Sequence, residues 1–254
     1  MEAVHRGDTE SLPSDMERLE KVMAEFLQTH YYNLYVALIE ADRWKQYLEG
    51  LGRTLLIAAC ATVMGILIGL VVAVIKVSAV NNRKLWPLEA ICNLYLTVIR
   101  GTPVVVQLLI LYTAVFTSMT NGTPVAIVGF GLNSGAYVAE IFRSGILSIS
   151  RGQTEAGRSL GLTSWMTMRL IVLPQAIKNI LPALFNEFIT LLKETSVAGY
   201  IAVRDLTKVA DGIKGRAFVG EPLFIAAVIY LVLVVGMTQI QKQLERRLAK
   251  GDRR

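Results

Sequence analysis

Three runs without a charged side chain, Thr54 to Ile75, Gly101 to Ala139 and Pro222 to Gln241, decide what this 254-residue chain can fold into. A helix crossing the hydrocarbon core of a bilayer needs roughly 20 mostly apolar residues, and each run is long enough. The middle one has room for two crossings, divided by the polar turn Thr117-Ser118-Met119-Thr120-Asn121-Gly122-Thr123. With 53% hydrophobic and 18% charged residues, the chain is too apolar for an ordinary soluble domain. It reads as an all-α integral membrane protein of about five transmembrane helices, near residues 51–76, 101–117, 124–145, 173–200 and 222–241. No cleaved leader is expected, because residues 1–50 are charged and the first apolar run begins late and is too long for one.

Charge placement orients these spans. Residues 1–50 hold Arg6, Arg18, Lys21, Arg43 and Lys45 against twice as many carboxylates. Lys76, Arg83 and Lys84 follow the first span, and Arg143, Arg151, Arg158 and Arg169 follow the third. The end of the chain carries Lys242, Arg246, Arg247, Lys250, Arg253 and Arg254. Positive charge favours the cytoplasmic side, so the N-terminus is expected outside and the C-terminus inside. Residues 203–220 resist that rule: they should lie outside, yet carry Arg204, Lys208, Lys214 and Arg216. The net charge of +6 is then a matter of topology. Nucleic-acid binding would need a basic stripe on a soluble face, which is missing.

The expected organisation has four parts. Residues 1–30 form an acidic N-terminal extension, and residues 31–50 an extracytoplasmic amphipathic helix. The second part contains Tyr31, Tyr32, Tyr35, Trp44 and Tyr47, ring types that favour the headgroup level. Residues 51–245 form the transmembrane domain and residues 246–254 a basic cytoplasmic tail. Gly65 and Gly69 permit a close helix approach, although small residues are common in membrane helices. Residues 203–220 place Val203, Leu206, Val209 and Ile213 at helical spacing, as in an amphipathic segment lying on the outer surface. Cys60 and Cys92 read as buried thiols, and no metal or redox spacing exists. His5 and His30 precede the first span, which argues against histidine-based catalysis; no catalytic residue and no metal ligand is assigned.

Several polar residues inside the apolar runs need an explanation. Trp86-Pro87 begins a helical stretch that Arg100-Gly101-Thr102-Pro103 interrupts, with Pro103 suited to the first turn of a new helix. If the new helix nearly spans, Arg100 and Glu140 lie at similar depth, and an ion pair is the economical arrangement, structural or gating. Asn133, Tyr137, Glu140 and Ser144 form one stripe of the third span. Such a stripe faces an aqueous path or a neighbouring helix rather than lipid. Span four is the most polar, with Lys178, Asn186, Glu187, Lys193 and Glu194. Counted from Pro174, Glu187 stands about 20 Å up the helix, near the bilayer midplane. Its carboxylate could accept the amino group or cationic side chain of a substrate, with Asn186 and Tyr137 as further candidates. The alternative is a structural partner, Lys193 or another helix.

Between spans three and four, Ser150 to Leu160 is too polar to cross the membrane. Ser150 suits an N-cap and Gly161 a C-terminal stop. Ala156 and Gly157 keep one side slim enough to enter a groove, Glu155 offers a polar contact, and Leu173-Pro174 marks the start of the next span. The arrangement reads either as a lever into span four or as an ordinary amphipathic surface helix.

These residues carry a resemblance. Glu155, Ala156, Gly161, Ile171, Leu173 and Pro174 stand at the spacing of the EAA loop of ABC-importer permeases, with Gly157 where alanine is usual. Arg100-Gly101-Thr102-Pro103, Ser134 to Arg143 and Lys193-Glu194-Thr195-Ser196 resemble the polar amino-acid branch of that family. The resemblance covers roughly residues 45–245 and leaves out 1–30. It implies a type I importer permease of the bacterial cytoplasmic (inner) membrane. Two such subunits, identical or not, would form the path, and a cytoplasmic ATPase dimer would bind the coupling helices. An extracytoplasmic solute-binding protein would deliver the amino acid. ATP and Mg would belong to the ATPase, with no cofactor on this chain, which contains no Gly-Lys dipeptide and hence no phosphate loop. The other readings are a permease for another small polar solute, a secondary transporter, which should show inverted repeats, and a membrane enzyme.

Overall fold

The computed structural model describes residues 15–250, and among them only helices, turns and loops occur. Ten helices follow one another: α1 (Asp15–Leu38), α2 (Arg43–Asn81), α3 (Trp86–Gly101), α4 (Val104–Ile110), α5 (Gly122–Leu147), α6 (Arg151–Ser159), α7 (Ser164–Thr167), α8 (Leu173–Glu194), α9 (Leu206–Ala217) and α10 (Glu221–Lys250). α1 runs through residues 30–31 without a break. Residues 1–14 and 251–254, and His5 with them, lie outside the described residues.

Four helical stretches are long and apolar enough to cross a membrane: Glu40–Val80, Gly122–Leu147, Ser164–Ile201 and Glu221–Leu248. Two shorter helices, Arg83–Gly101 and Val104–Val115, pass the same test only together and are bent by 107°, the geometry of a broken span or a re-entrant loop. This corrects the expectation of a separate span at 101–117. Twelve residues at about 1.5 Å each reach only some 18 Å, short of a hydrocarbon core of about 30 Å. The apolar stretch around Pro103 is therefore one arm of a bent pair and not a straight span of its own. The fourth span also differs from expectation, because its helix begins at Ser164 rather than at Leu173. Pro174 lacks an N–H, and the chain absorbs the defect with a π turn over Met168–Val172. Gln175 Nε2 donates to the Ile171 carbonyl in the same turn (2.8 Å).

The bundle is held by α5, the most enclosed span, packed on α2. Gly65 and Gly69 are the reason the two approach so closely. A β-carbon at Gly65 would stand 2.9 Å from Ser134 Oγ, and one at Gly69 would stand 2.6 Å from Val138 Cγ1. From the other side, Gly131 meets Met64 and Gly135 meets Ile68. Small residues that bring backbones together supply dispersion contact where lipid offers no hydrophobic drive. Ile57, Ala61, Leu108, Val125, Phe130 and Leu191 close the central core among α2, α4, α5 and α8. The outward faces of α2 (Leu56, Val63, Leu67, Val71) and α10 (Phe224, Val228, Leu231, Val232) remain apolar and exposed, as lipid or a second membrane subunit requires.

At the end of the bundle holding residues 43–54, α9 packs on α2 and α10. Val203, Leu206, Val209 and Ile213 are all buried, as their spacing suggested. Asp205 caps α9, accepting from the Thr207 and Lys208 backbone N–H groups (3.0 and 3.1 Å). Thr54 Oγ1 on α2 accepts from Leu206 N (3.2 Å). Of the basic residues of this segment, Lys208 is paired with Asp211 and Arg216 donates to Gln46.

Candidate functional site

α6 is polar and exposed except at Gly157. Ser150 Oγ accepts from Gly152 N (3.3 Å) and caps its start. Its end is a Schellman motif: Gly161 adopts φ +81°, Gly161 N–H donates to the Arg158 carbonyl and Leu162 N–H to the Gly157 carbonyl. A side chain in that left-handed conformation is strained, which is why glycine stands there. Thr163 then caps the next helix by accepting from Met166 N (3.2 Å). From Ser164 the helix continues through the π turn into α8, so α6 is joined by a tight corner to one long rod.

Gly157 faces that rod and not the surrounding solvent. A β-carbon there would meet Thr167 Cγ2 at 2.8 Å and Ile171 Cδ1 at 2.9 Å. The expectation that Gly157 slims a docking face is therefore corrected: Ala156 and Glu155 are exposed, while Gly157 lets α6 lean on its own continuation. Leu173 and Pro174 lie exposed on the rod just beyond this contact.

Glu187 lies on α8, about 7 Å past the midpoint of Ser164–Ile201 along the axis. Its partner is on another helix: Ser134 Oγ on α5 donates to Glu187 Oε1 (2.8 Å). Ser134 is fully buried and pressed by Gly65 of α2, so its hydroxyl is held in place. Lys193 is exposed, and among the described residues no ion pair joins it to Glu187. Glu194, seven residues further on, returns to the same face of α8 and is half-buried. Asn186 is exposed, and Tyr137 is 38% exposed.

The predicted stripe on α5 divides. Asn133 is buried, and its Nδ2 donates to Gln107 Oε1 of α4 (3.1 Å). Glu140 is ion-paired with Arg143 on the same helix, through Arg143 Nε at 3.0 and 3.2 Å and through Nη2. This corrects the expected Arg100–Glu140 pair. Arg143 sits one turn away on α5, where the two side chains are neighbours. The Arg100 guanidinium instead lies over the Tyr137 ring, 5.6 Å from its centre. The ion pair forms instead within α5, between residues three apart, while Arg100 rests on the Tyr137 ring.

Gln107 was missed at the sequence level. Pro103 begins the second arm of the broken span, and having no N–H it cannot donate to the carbonyl of Ile99, four residues back. Gln107 Nε2 supplies that donor, reaching Ile99 O (2.8 Å), Thr102 O (3.0 Å) and Thr102 Oγ1 (2.8 Å). The signal available was the spacing Ile99, Pro103, Gln107, one helical turn each. Among the described residues no cluster of His, Cys, Asp or Glu could hold a metal ion.

Comparison with known proteins adds independent information. Residues 65–250 match the family model described as binding-protein-dependent transport system inner membrane component. The arginine transport system permease protein ArtQ of Bacillus subtilis (strain 168) is 39% identical over 209 residues, 81% of this chain and 93% of that protein. The L-cystine transport system permease protein TcyB of the same organism is 35% identical over 216 residues, 83% and 90% of the two chains. Among solved structures, that of an amino acid ABC transporter with histidines is 41% identical, covers 80% of this chain and 94% of that one, and superposes with a TM-score of 0.75.

Proposed function

The chain belongs to the family of binding-protein-dependent transport system inner membrane components, and on that premise we propose that it is the permease subunit of an ATP-driven importer of polar amino acids, coupled to its ATPase through α6. The observation that carries the coupling is the corner at Gly161. It joins a short exposed polar helix to a continuous membrane rod bearing Glu187. A partner that displaces α6 tilts the rod, because Gly157 seats the one against the other. Glu155 and Ala156 then face the ATPase groove, and Leu173 and Pro174 lie on the arm that carries the motion. ATP and Mg are held by that ATPase dimer and not by this chain.

In this reading α6 and the C-terminus are cytoplasmic, while α9 and the N-terminus face outward, where a solute-binding protein docks. The acidic residues of the extension and the clustered basic residues around α6 and the tail support that orientation. A second permease subunit completes the path. Glu187 accepts the ammonium of the amino acid, with Asn186 and Tyr137 as further contacts. Arg100, Glu140 and Pro103 shape the wall around the bend. The relatives named for arginine and L-cystine are 39% and 35% identical to this chain, so the choice of amino acid falls to side chains in the path and to the binding protein.

The test is ATP-driven uptake in proteoliposomes containing the chain with its ATPase and binding protein, scanned across amino acids. Wild-type complex should accumulate a polar amino acid, and Glu187→Gln should raise its KM about tenfold, the loss of roughly one charged hydrogen bond. Unchanged KM and rate in an intact Glu187→Gln complex would remove Glu187 from the site.

A further inference from the structure

The bend in the second span and the carboxylate on α8 each hydrogen-bond one of two adjacent residues of α5, Asn133 and Ser134, and Gln107 makes the bond on the side of the bend. Its amide nitrogen satisfies the carbonyls left open by Pro103 at Ile99 and Thr102. Its amide oxygen accepts from Asn133 of α5, which is only 4% exposed. Asn133 is followed directly by Ser134, whose hydroxyl donates to Glu187. Both ends of the carboxamide are therefore used: the NH2 end reads the geometry of the break, and the oxygen end holds one turn of α5. That turn has little freedom of its own, since Gly65 presses on Ser134 from α2.

The other polar groups of the two arms do not reach from the break itself to Asn133: Tyr95, on the arm before the bend, donates to the Leu132 carbonyl of α5 (2.6 Å). Thr102 Oγ1 donates to Val98 O (2.8 Å) within its own arm. Arg100 points to Tyr137, on a neighbouring turn of α5. A hydrocarbon side chain at 107 would leave two carbonyls and the buried Asn133 amide without partners in an apolar bundle, where unsatisfied polar groups are costly. The chain needs a carboxamide there: glutamate would lose the donors and lysine the acceptor.

We propose that Gln107 is a positioning residue that fixes the 107° bend of the second span to the turn of α5 that presents Ser134 to Glu187, so that the shape of the bend and the hold on substrate change together. The inference rests on the reading of Glu187 as a substrate contact. Gln107 touches no substrate itself. It acts through Asn133 and Ser134.

The experiment measures KM and maximal rate of ATP-driven uptake in the reconstituted complex, using L-arginine or L-cystine, whichever the wild type accumulates. Gln107→Glu keeps the acceptor and loses the donors; Asn133→Ser cuts the link to α5 while leaving the bonds at the bend intact. Each should raise KM about fivefold to tenfold, about the effect of one buried hydrogen bond. In the double variant Gln107→Glu with Ser134→Ala, KM should rise no further than in Ser134→Ala alone, because both act on one carboxylate. A purely structural clamp would lower the amount of assembled complex and the maximal rate, leave KM unmoved, and add to Ser134→Ala. That result overturns the proposal. If KM responds to Glu187→Gln but to neither Gln107→Glu nor Asn133→Ser, the inference alone fails. If it responds to none of the three, the Glu187 site reading fails and the inference falls with it.

Discussion

A leucine at position 157 would show whether α6 works through the rod it leans on. A β-carbon at Gly157 would lie 2.8 Å from Thr167 Cγ2, and ordinary contact begins at 3.4 Å, so alanine needs about 0.6 Å of added separation (3.4 − 2.8). Ile171 Cδ1, at 2.9 Å, ends a flexible side chain and gives way, whereas Thr167, whose Oγ1 is also close at 3.1 Å, is fully buried. Overpacking of this kind costs about 1–3 kcal/mol, and replacing a glycine within a helix returns about 1 kcal/mol. Gly157→Ala should therefore fall between neutral and about 2 kcal/mol destabilising. Leucine adds three more carbons to a space without room for one, and α6 is the lighter body, so it lifts away from Thr167 and Ile171. The assay is ATP hydrolysed per amino acid transported in proteoliposomes, with thermal stability of the permease followed alongside. Gly157→Leu should keep its spans folded and retain ATPase binding, yet transport less than about a tenth as much per ATP, equivalent to about 1.4 kcal/mol of lost coupling. Ala156→Leu, which is exposed, should instead weaken ATPase binding and leave the permease fold untouched. A Gly157→Leu complex with the wild-type ratio would refute the reasoning.

Other outcomes follow from the same geometry. Gly69→Ala puts a carbon 2.6 Å from Val138 Cγ1 and 2.8 Å from the Ala139 backbone nitrogen, which cannot rotate away. Its thermal midpoint in detergent should fall by about 3–9 °C, the equivalent of about 1–3 kcal/mol. Asp205→Ala removes the cap of α9 and should cost about 1 kcal/mol, while Asp205→Asn keeps an acceptor and should cost less. Burial pushes the Asp205 carboxyl above the ordinary carboxylate range despite its bonds to Thr207 and Lys208. A raised folded-state value means that the stability it contributes is present below the usual Asp range and lost as pH rises through the shifted value. Melting curves of wild type should therefore carry an acid-side gain that Asp205→Asn lacks.

Much of the architecture is legible in the residues because bilayer physics is strict. Uncharged runs give the spans, and the Gly65 and Gly69 pair proves to be the central α2–α5 contact, although the pattern alone is common. The caps at Ser150 and Gly161 were readable because they solve a local problem of unpaired backbone groups. What failed depended on relations between segments. Pro174 announces a missing donor but not that a π turn will absorb it, so the rod starts ten residues earlier than Pro174 suggests. Glu140 pairs with Arg143, one turn along its own helix, and Arg100 with the Tyr137 ring, a choice between nearby cations that charge placement alone leaves open. Gly157 faces inward because of the rotational phase between α6 and the rod, which composition does not encode. Glu187 drew notice as an ionisable residue at midplane, but its partner Ser134 sits on a helix fifty residues away in sequence, one small polar side chain among many.

On the proposed reading this chain conducts and a partner supplies the energy. The most direct measurement of this is uptake of a labelled polar amino acid into proteoliposomes, with and without the ATPase and binding protein. Accumulation against a gradient should occur only when all components and ATP are present, and should fall about tenfold or more per ATP when α6 is unseated by Gly157→Leu. Accumulation by the purified chain alone, driven by an ion gradient, would contradict it.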